Sequence, residues 1–301
     1  MRLVTFSRGA SRGLGAVIGD GILELGSADV PNDMIAFLEG GEAVWARARA
    51  AVKKAEGGQS KAKLLARSDV TLLAPIPRPR KNVFALGLNY SEHVAEGARA
   101  RGLEVKLPEY PVFFTKAVTA VIGPEDPIPF DGRLSDKWDW EAELALVIGK
   151  GGRDIPKERA LEHVFGYTCL NDVSVRDVQR KHGGQFFRGK SVDGTCPIGP
   201  WIVTRDEVMN VQNLRIMTRV NGVTKQDSNT SFMIFDVATT IESLSAGMTL
   251  EPGDIIATGT PDGVGFARTP PELLKPGDVV EVEVEGIGVL RNDVIDRWAG
   301  R

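Results

Sequence analysis

VTFSRGASRGLGAVIGDGILEL, residues 4–25, admits two incompatible readings, and the choice between them decides the fold. Read by its glycines, it is a strand running into a dinucleotide-binding loop, the opening of a doubly wound parallel sheet. Such a loop must lead straight into a helix whose N-terminus faces the pyrophosphate. Here the glycines lead into AVIGDGILEL instead. Ala16-Val17-Ile18 and Ile22-Leu23-Glu24-Leu25 flank Gly19-Asp20-Gly21, and a Gly/Asp turn between two short apolar runs signals a β-hairpin. The strand-like run Leu3-Val4-Thr5-Phe6 comes before it.

The same glycines resemble the fingerprint of short-chain dehydrogenases, which also carry a Tyr-x-x-x-Lys pair. Tyr90, Tyr110 and Tyr167 are followed four positions later by Val94, Phe114 and Asn171. No such pair exists, and nicotinamide binding is set aside. Working outward, residues 31–56 have Ala- and charge-rich helical periodicity. Pro75, Pro77 and Pro79 then alternate in PIPRPRK, a stiff connector that cannot continue a helix. The domain boundary is placed there, giving a small N-terminal α/β domain over 1–74 and a second domain over 75–301. Beyond it, short β-type runs alternate with Pro-Gly-Asp and Asp-Gly turns: 144–148, 201–204, 214–220, 254–258 and 279–284. Helical intervals fall near 91–101, 157–163, 173–181 and 233–245. This pattern predicts a β-rich α+β fold, with a mixed β-sandwich or roll as the second domain.

Composition narrows the function classes. A chain of 301 residues with 42% hydrophobic content can bury a sizeable core. The net charge is −3 and the 37 Lys and Arg residues are scattered, which argues against a nucleic-acid partner. Only Lys53, Lys54, Lys61 and Lys63 approach a basic run. Cys169 and Cys196 have no Cys or His neighbour at metal-ligand spacing and read as small buried hydrophobes in a reducing compartment. With no signal-peptide-type segment and no apolar run of membrane-span length, the expectation is a cytoplasmic protein.

The chemistry-bearing stretch is DKWDWEAELALVIGK, residues 136–150. Strand alternation puts Trp138, Trp140, Ala142, Leu144 and Leu146 on one face, and Asp139, Glu141, Glu143, Ala145 and Val147 on the other. Carboxylates two apart on a strand have Cα atoms about 6.7 Å apart on one side. Their repulsion is relieved by solvent or, if they are buried, by a hard divalent cation. Because Ala145 and Val147 carry that face into apolar character, it runs from a pocket into the core. Asp172, in YTCLNDVSVRDVQRK, is the candidate third ligand, although an ordinary helix N-cap would also explain it. Arg176 and Gln179 follow on the same side of the expected helix. In NYSEHVAEG, Asn89 and Glu92 form a capping-box-like start. His93 and Glu96, three apart, share a helix face, either as a surface pair or as a base with the carboxylate that orients it.

Six ordered segments carry a family resemblance: GLNYSEHVAE, PVFFTKAVTAVIGPEDPI, DWEAELALVIGK, NDVSVRDVQ, RGKSVDGTCPIGPW and TGTPDGVG. The chain resembles members of the fumarylacetoacetate hydrolase superfamily, which includes acylpyruvate hydrolases, oxaloacetate decarboxylases and related isomerases and hydratases. The resemblance implies that Glu141, Glu143 and Asp172 bind Mg²⁺ or Mn²⁺. It implies that His93 and Glu96 are catalytic, on a helix that orders over substrate, with Gly97 and Gly102 flanking the mobile stretch. It implies that Lys190 stabilises enolate charge, and that Arg176, Gln179, Lys116, Gly259 and Thr260 bind substrate. His163 and His182 read as structural or surface residues. The expected activity is C–C hydrolysis of an acylpyruvate or other 2,4-dioxo acid. Oxaloacetate decarboxylation or enol–keto isomerisation is the alternative, and a non-catalytic metal-binding relative is a third. The expected partners are a small 2-oxo or 2,4-dioxo acid and a second copy of the chain in a homodimer, with residues 97–108 and 182–188 shaping the distal pocket.

Overall fold

A computed structural model describes residues 1–59 and 64–300. Lys61 and Lys63 lie outside the described residues, while Lys53 and Lys54 sit in the last turn of a helix. The opening stretch is a meander. Arg2–Arg8, Ser11–Ile18 and Gly21–Glu24 pair antiparallel in succession. The second turn is Gly19-Asp20, between the paired Ile18 and Gly21, and Gly19 takes φ +55°, a conformation that costs glycine little. The fingerprint glycines Gly13 and Gly15 stand inside a strand. Their missing side chains leave room for the Phe6 ring, which would lie 2.6 Å from a Cβ at Gly13.

Two features break the expected 31–56 helix. Helix α1 (Met34–Glu39) is capped by the Asp33 carboxylate, which accepts from Ala36 N at 3.0 Å. Gly41 then takes φ +60°, and α2 (Gly41–Glu56) starts afresh. The remaining helices are short: α3 (Ser91–Ala100), α4 (Arg176–Lys181), α5 (Phe187–Lys190) and α6 (Val237–Ser245). The expected helix over 173–181 is shortened because Ser174–Val175 instead pairs with Trp138–Asp139. Residues 157–163 form a 3₁₀ helix. The expected start near 233 moves to Val237, where Asp236 caps α6.

A twelve-stranded sheet forms the body. Arg2–Arg8 joins Cys196–Thr204, followed by Val164–Asn171, Ala142–Ile148, Ile255–Ala257, Val83–Gly87 and Val112–Lys116. The leading segment therefore shares a sheet with the segment that follows the proline connector. A second, five-stranded sheet is built from Val223–Asn229, Arg215–Val220, Val279–Val284, Gly288–Asp296 and Ile128–Phe130.

Strand Ala142–Ile148 is the keel. Its Ala142, Leu144, Leu146 and Ile148 pack into the core shared with Ile216, Val282, Val284 and Leu290 of the five-stranded sheet. Its Ala145 and Val147 face the opposite core, with Phe37, Val44 and Phe165. Both faces are buried, which is why a mostly antiparallel sheet has so apolar a central strand. Each buried Leu or Ile contributes about 2 kcal/mol, enough to hold this strand rigid where it also carries charge.

Candidate metal centre

The ladder between Ala142–Ile148 and Val164–Asn171 assembles the acids. Ala142 is registered against Asn171, so Asp172, one residue on, falls beside Glu141 and donates its N–H to Glu141 O at 2.9 Å. Asn171 Oδ1 accepts from Glu141 N at 3.1 Å, which fixes the strand entry. Glu141, Glu143 and Asp172 each place a carboxylate oxygen within 4.8 Å of the others. Their exposures are 4%, 1% and 0%, so a solvated strand face is excluded. Nor is Asp172 a helix cap: α4 starts after Val175, with no side-chain cap.

Cations surround two of the three acids. Lys190 Nζ donates to Glu141 Oε2 at 2.6 Å and to Asp172 Oδ2 at 2.7 Å. With 3% exposure it is no snorkelling surface lysine. Lys116 Nζ donates to Asp172 Oδ1 at 2.6 Å and also bonds the Val173 and Lys190 carbonyls. It is wholly buried and does not line the cavity, so its position is that of a residue aiming Asp172 rather than one touching substrate. Arg176 donates to Glu141 Oε1 at 2.6 Å and to Asp139 Oδ2 at 2.8 Å, and its guanidinium stacks 4.5 Å from the Phe266 ring centroid. Gln179 lines the cavity beside it.

Glu143 is different. Its Oε2 accepts from Gly259 N at 2.7 Å, and among the described residues no lysine or arginine is ion-paired with it. Burial, then the charges of Asp172 and Glu141, push its carboxyl well above the usual range, with Lys190 and the Gly259 N–H only partly offsetting them. Burial would raise Glu141 as well, but Lys190, Arg176 and His93 hold it at about 2. Ionised, Glu143 would leave one negative charge in the cluster with no cation paired to it. An all-oxygen donor set that carries surplus negative charge when ionised, in a buried site, suits a hard divalent ion. The residues fit Mg²⁺ or Mn²⁺.

His93 and Glu96 stand on α3 over this centre. His93 Nδ1 meets Glu96 Oε1 at 2.9 Å, and Glu96 Oε2 accepts from Gly263 N at 2.9 Å. The carboxylate thus ties the imidazole to the Thr258-to-Gly265 turn. With Nδ1 engaged, Nε2 is the nitrogen left to exchange a proton. The capping box expected at this helix is absent. Tyr90 is the N-cap residue with no side-chain cap. Asn89 instead bonds Thr258 O at 2.7 Å and both backbone groups of Phe235, while Glu92 accepts from Ser91 Oγ. Gly259, at φ +91°, lets its N–H point at Glu143. Thr260 lines the cavity, and its hydroxyl accepts from Gln226 at 2.8 Å.

The cavity is about 240 Å³ and is lined by His93, Glu141, Arg176, Lys190 and Thr260 at the acid cluster. Gly97, Arg101, Gly184 and Phe186 also line it, from the two segments expected to shape its distal part. Sequence reading missed Asp139 as a site residue, although it shares the acidic face two positions before Glu141. It holds Arg176 and accepts from Gly265 N at 2.7 Å and Phe266 N at 3.0 Å. His163 is buried with Nδ1 on Lys150 O, and His182 is exposed. Both lie outside the site. Among the described residues no helix is long and apolar enough to cross a membrane.

A buried three-carboxylate cluster under a His–Glu pair, carried on the twelve-stranded sheet, defines an α+β protein with a candidate metal centre. The family model described as "Fumarylacetoacetate (FAA) hydrolase C-terminal" matches residues 82–295, and the chain belongs to this family. Among curated proteins it is 47% identical over 227 residues to an oxaloacetate tautomerase of Bacillus subtilis, covering 75% of this chain and 74% of that one. It is 42% identical over 302 residues to a mitochondrial oxaloacetate tautomerase of Homo sapiens, covering 98% and 92%. Among solved structures, a fumarylacetoacetate hydrolase from Exiguobacterium antarcticum matches with TM-score 0.82 at 39% identity, over 99% of this chain and 100% of that one. A maleylpyruvate hydrolase from Sphingobium sp. SYK-6, in complex with manganese(II) and pyruvate, matches with TM-score 0.78 at 32% identity, over 98% and 99%.

Proposed function

We propose that this chain is a Mg²⁺- or Mn²⁺-dependent enzyme that interconverts the enol and keto forms of oxaloacetate or a closely related 2-oxo diacid. The observation that carries the reading is the likeness, at 41–47% identity, to curated oxaloacetate tautomerases, joined to a small, cation-lined cavity over the acid cluster. This reverses the order taken from the sequence, where C–C hydrolysis stood first.

Glu141, Glu143 and Asp172 would hold the ion. When bound, it supplies Lewis-acid polarisation of the substrate's 2-oxo group. Lys190, between Glu141 and Asp172, sets a positive charge where the C2 oxygen gains electron density. Arg176 and Thr260 orient the acid. His93 Nε2 takes the proton from the enol oxygen, and an imidazolium in the same place returns one to C3. Glu96 keeps the ring in the tautomer this requires. Helix α3, with Gly97 and Gly102 at its end, acts as a lid that excludes water. Residues 75–301 form the catalytic unit, and the leading sheet strands buttress it. The resemblance also supports a homodimer, which sedimentation would test.

A second reading, C–C hydrolysis of an acylpyruvate or other 2,4-dioxo acid, is favoured by the same His93–Glu96 pair. An oriented imidazole can deprotonate water as well as carbon. The deciding experiment reconstitutes purified protein with Mg²⁺ or Mn²⁺. It then follows the loss of enol absorbance from freshly dissolved oxaloacetate, beside pyruvate release from oxaloacetate and from acylpyruvates. Tautomerisation that outpaces both releases and is lost in Glu141→Ala supports the first reading. Faster acylpyruvate cleavage would replace it with the second.

A further inference from the structure

Two arginines stand at the mouth of the cavity, outside the ion-paired centre. Arg101 follows the end of α3, its Nε–H donating to Gly97 O at 2.7 Å. Arg180 lies on α4, four residues after Arg176 and so one turn, about 6 Å, along the helix. Both line the cavity. Arg180 stands 5.1 Å from the Phe266 ring centroid, and Gly97 lies beneath both Arg101 and Phe266: a Cβ there would stand 3.5 Å from Arg101 Nη2 and 3.9 Å from Phe266 Cζ.

The contrast with Arg176 is informative. Arg176 is ion-paired with Asp139 and Glu141. Among the described residues, neither Arg101 nor Arg180 is ion-paired with any carboxylate. Burial, then the Arg176 and Arg101 charges, hold the Arg180 guanidinium below its ordinary value, with Asp177 only partly offsetting them. Two exposed like charges therefore line one cavity from different elements, one on the proposed lid and one on the body. The cavity, at about 240 Å³, falls below the roughly 300–1,000 Å³ typical of drug-sized ligands. It suits a compact acid with one end at the carboxylate cluster.

We infer that Arg101 and Arg180 form an anion subsite that receives the second carboxylate of a dicarboxylate substrate and draws α3 down over the cavity. The inference rests on the proposed reading that the 2-oxo acid end lies at Glu141, Glu143 and Asp172. Planar guanidinium forks match a carboxylate geometrically. Once bound, the carboxylate turns a repulsion across the mouth into two attractions. The lid then closes on diacids and stays open over mono-acids, so specificity and closure share one contact.

The test compares oxaloacetate with 2-oxobutyrate, which differ only in carboxylate against methyl at C4. Calorimetric titration of the Mg²⁺-loaded protein reads affinity without needing turnover. The wild type should prefer the diacid by roughly tenfold or more, the scale of a charge-assisted hydrogen bond. Arg180→Met should bring the ratio near one, Arg180→Lys should keep only part of it because the charge stays but the planar fork is lost, and Arg101→Gln should lower it in parallel. Mg²⁺ alone should raise the melting temperature equally in wild type and Arg180→Met, showing that the centre is intact. An undiminished preference in both Arg180→Met and Arg101→Gln, or no preference in the wild type, overturns the subsite. A wild type that prefers the diacid through Arg180, yet never tautomerises oxaloacetate, defeats the proposed reaction and leaves the subsite standing.

Discussion

Arg176→Met tests the electrostatic design of the centre most directly. The substitution keeps a long apolar stem but removes the guanidinium that donates to both Asp139 and Glu141. Asp139 is fully buried and Glu141 is 4% exposed, so Asp139 cannot turn to water and Glu141 meets only the cavity. Breaking a buried ion pair by deleting one partner costs about 3–5 kcal/mol, because the other charge stays behind unpaired. Here the cost should fall near the lower end, about 3 kcal/mol. Asp139 keeps N–H bonds from Trp140, Gly265 and Phe266, and Glu141 keeps Lys190. The assay is urea unfolding of the metal-free protein, followed by circular dichroism and tryptophan fluorescence and extrapolated linearly. Adding Asp139→Asn to Arg176→Met should recover part of the loss, with a coupling of about 1–3 kcal/mol. A loss below about 1 kcal/mol, or strict additivity in the cycle, would refute the claim that this guanidinium neutralises the buried acids.

Four further outcomes follow from the same geometry. Chelating divalent ions should abolish activity, and restoring Mn²⁺ to a hundred times its dissociation constant should add about 2.7 kcal/mol of stability, read as a melting shift. Glu143→Gln should lose most of that Mn²⁺-dependent shift, since it removes the acid whose charge no side chain balances. Glu96→Gln should cut kcat roughly tenfold to a hundredfold with little change in KM, a share of the 10²–10⁴ that general acid–base catalysis supplies. An unchanged pH profile and rate would remove Glu96 from the orienting role. Gly259→Ala places a Cβ 2.8 Å from Asn89 Cβ at φ +91°. It should destabilise the fold by about 1–3 kcal/mol and weaken Mn²⁺ binding by turning the N–H away from Glu143, as unfolding and metal titration would register.

The pattern of the amino acids determined more of this protein than its glycine decoy suggests. Alternation in 139–147 placed the acids on one face and the leucines on the other, because side-chain period in a strand is a local property of the backbone. The hairpin after Gly15 was legible for the same reason. His93 and Glu96 meet because residues three apart on a helix must share a face.

Tertiary structure decided what no local rule reaches. Asp172 becomes a partner of Glu141 only through the register of Ala142 against Asn171, a pairing across some thirty positions of chain. Local reasoning offered it as a third ligand but left an ordinary helix cap open. It made Asn89 a cap, whereas its amide ties α3 to Thr258 and Phe235 across more than 140 residues. Lys116 and Asp139 gained their roles from burial, which turns an ordinary charge into one that must find a partner. The five-stranded sheet packed on one face of strand Ala142–Ile148, and the core containing α1 and α2 on the other, bury the acids. That burial gives their mutual repulsion its strength, and with it the case for a metal ion.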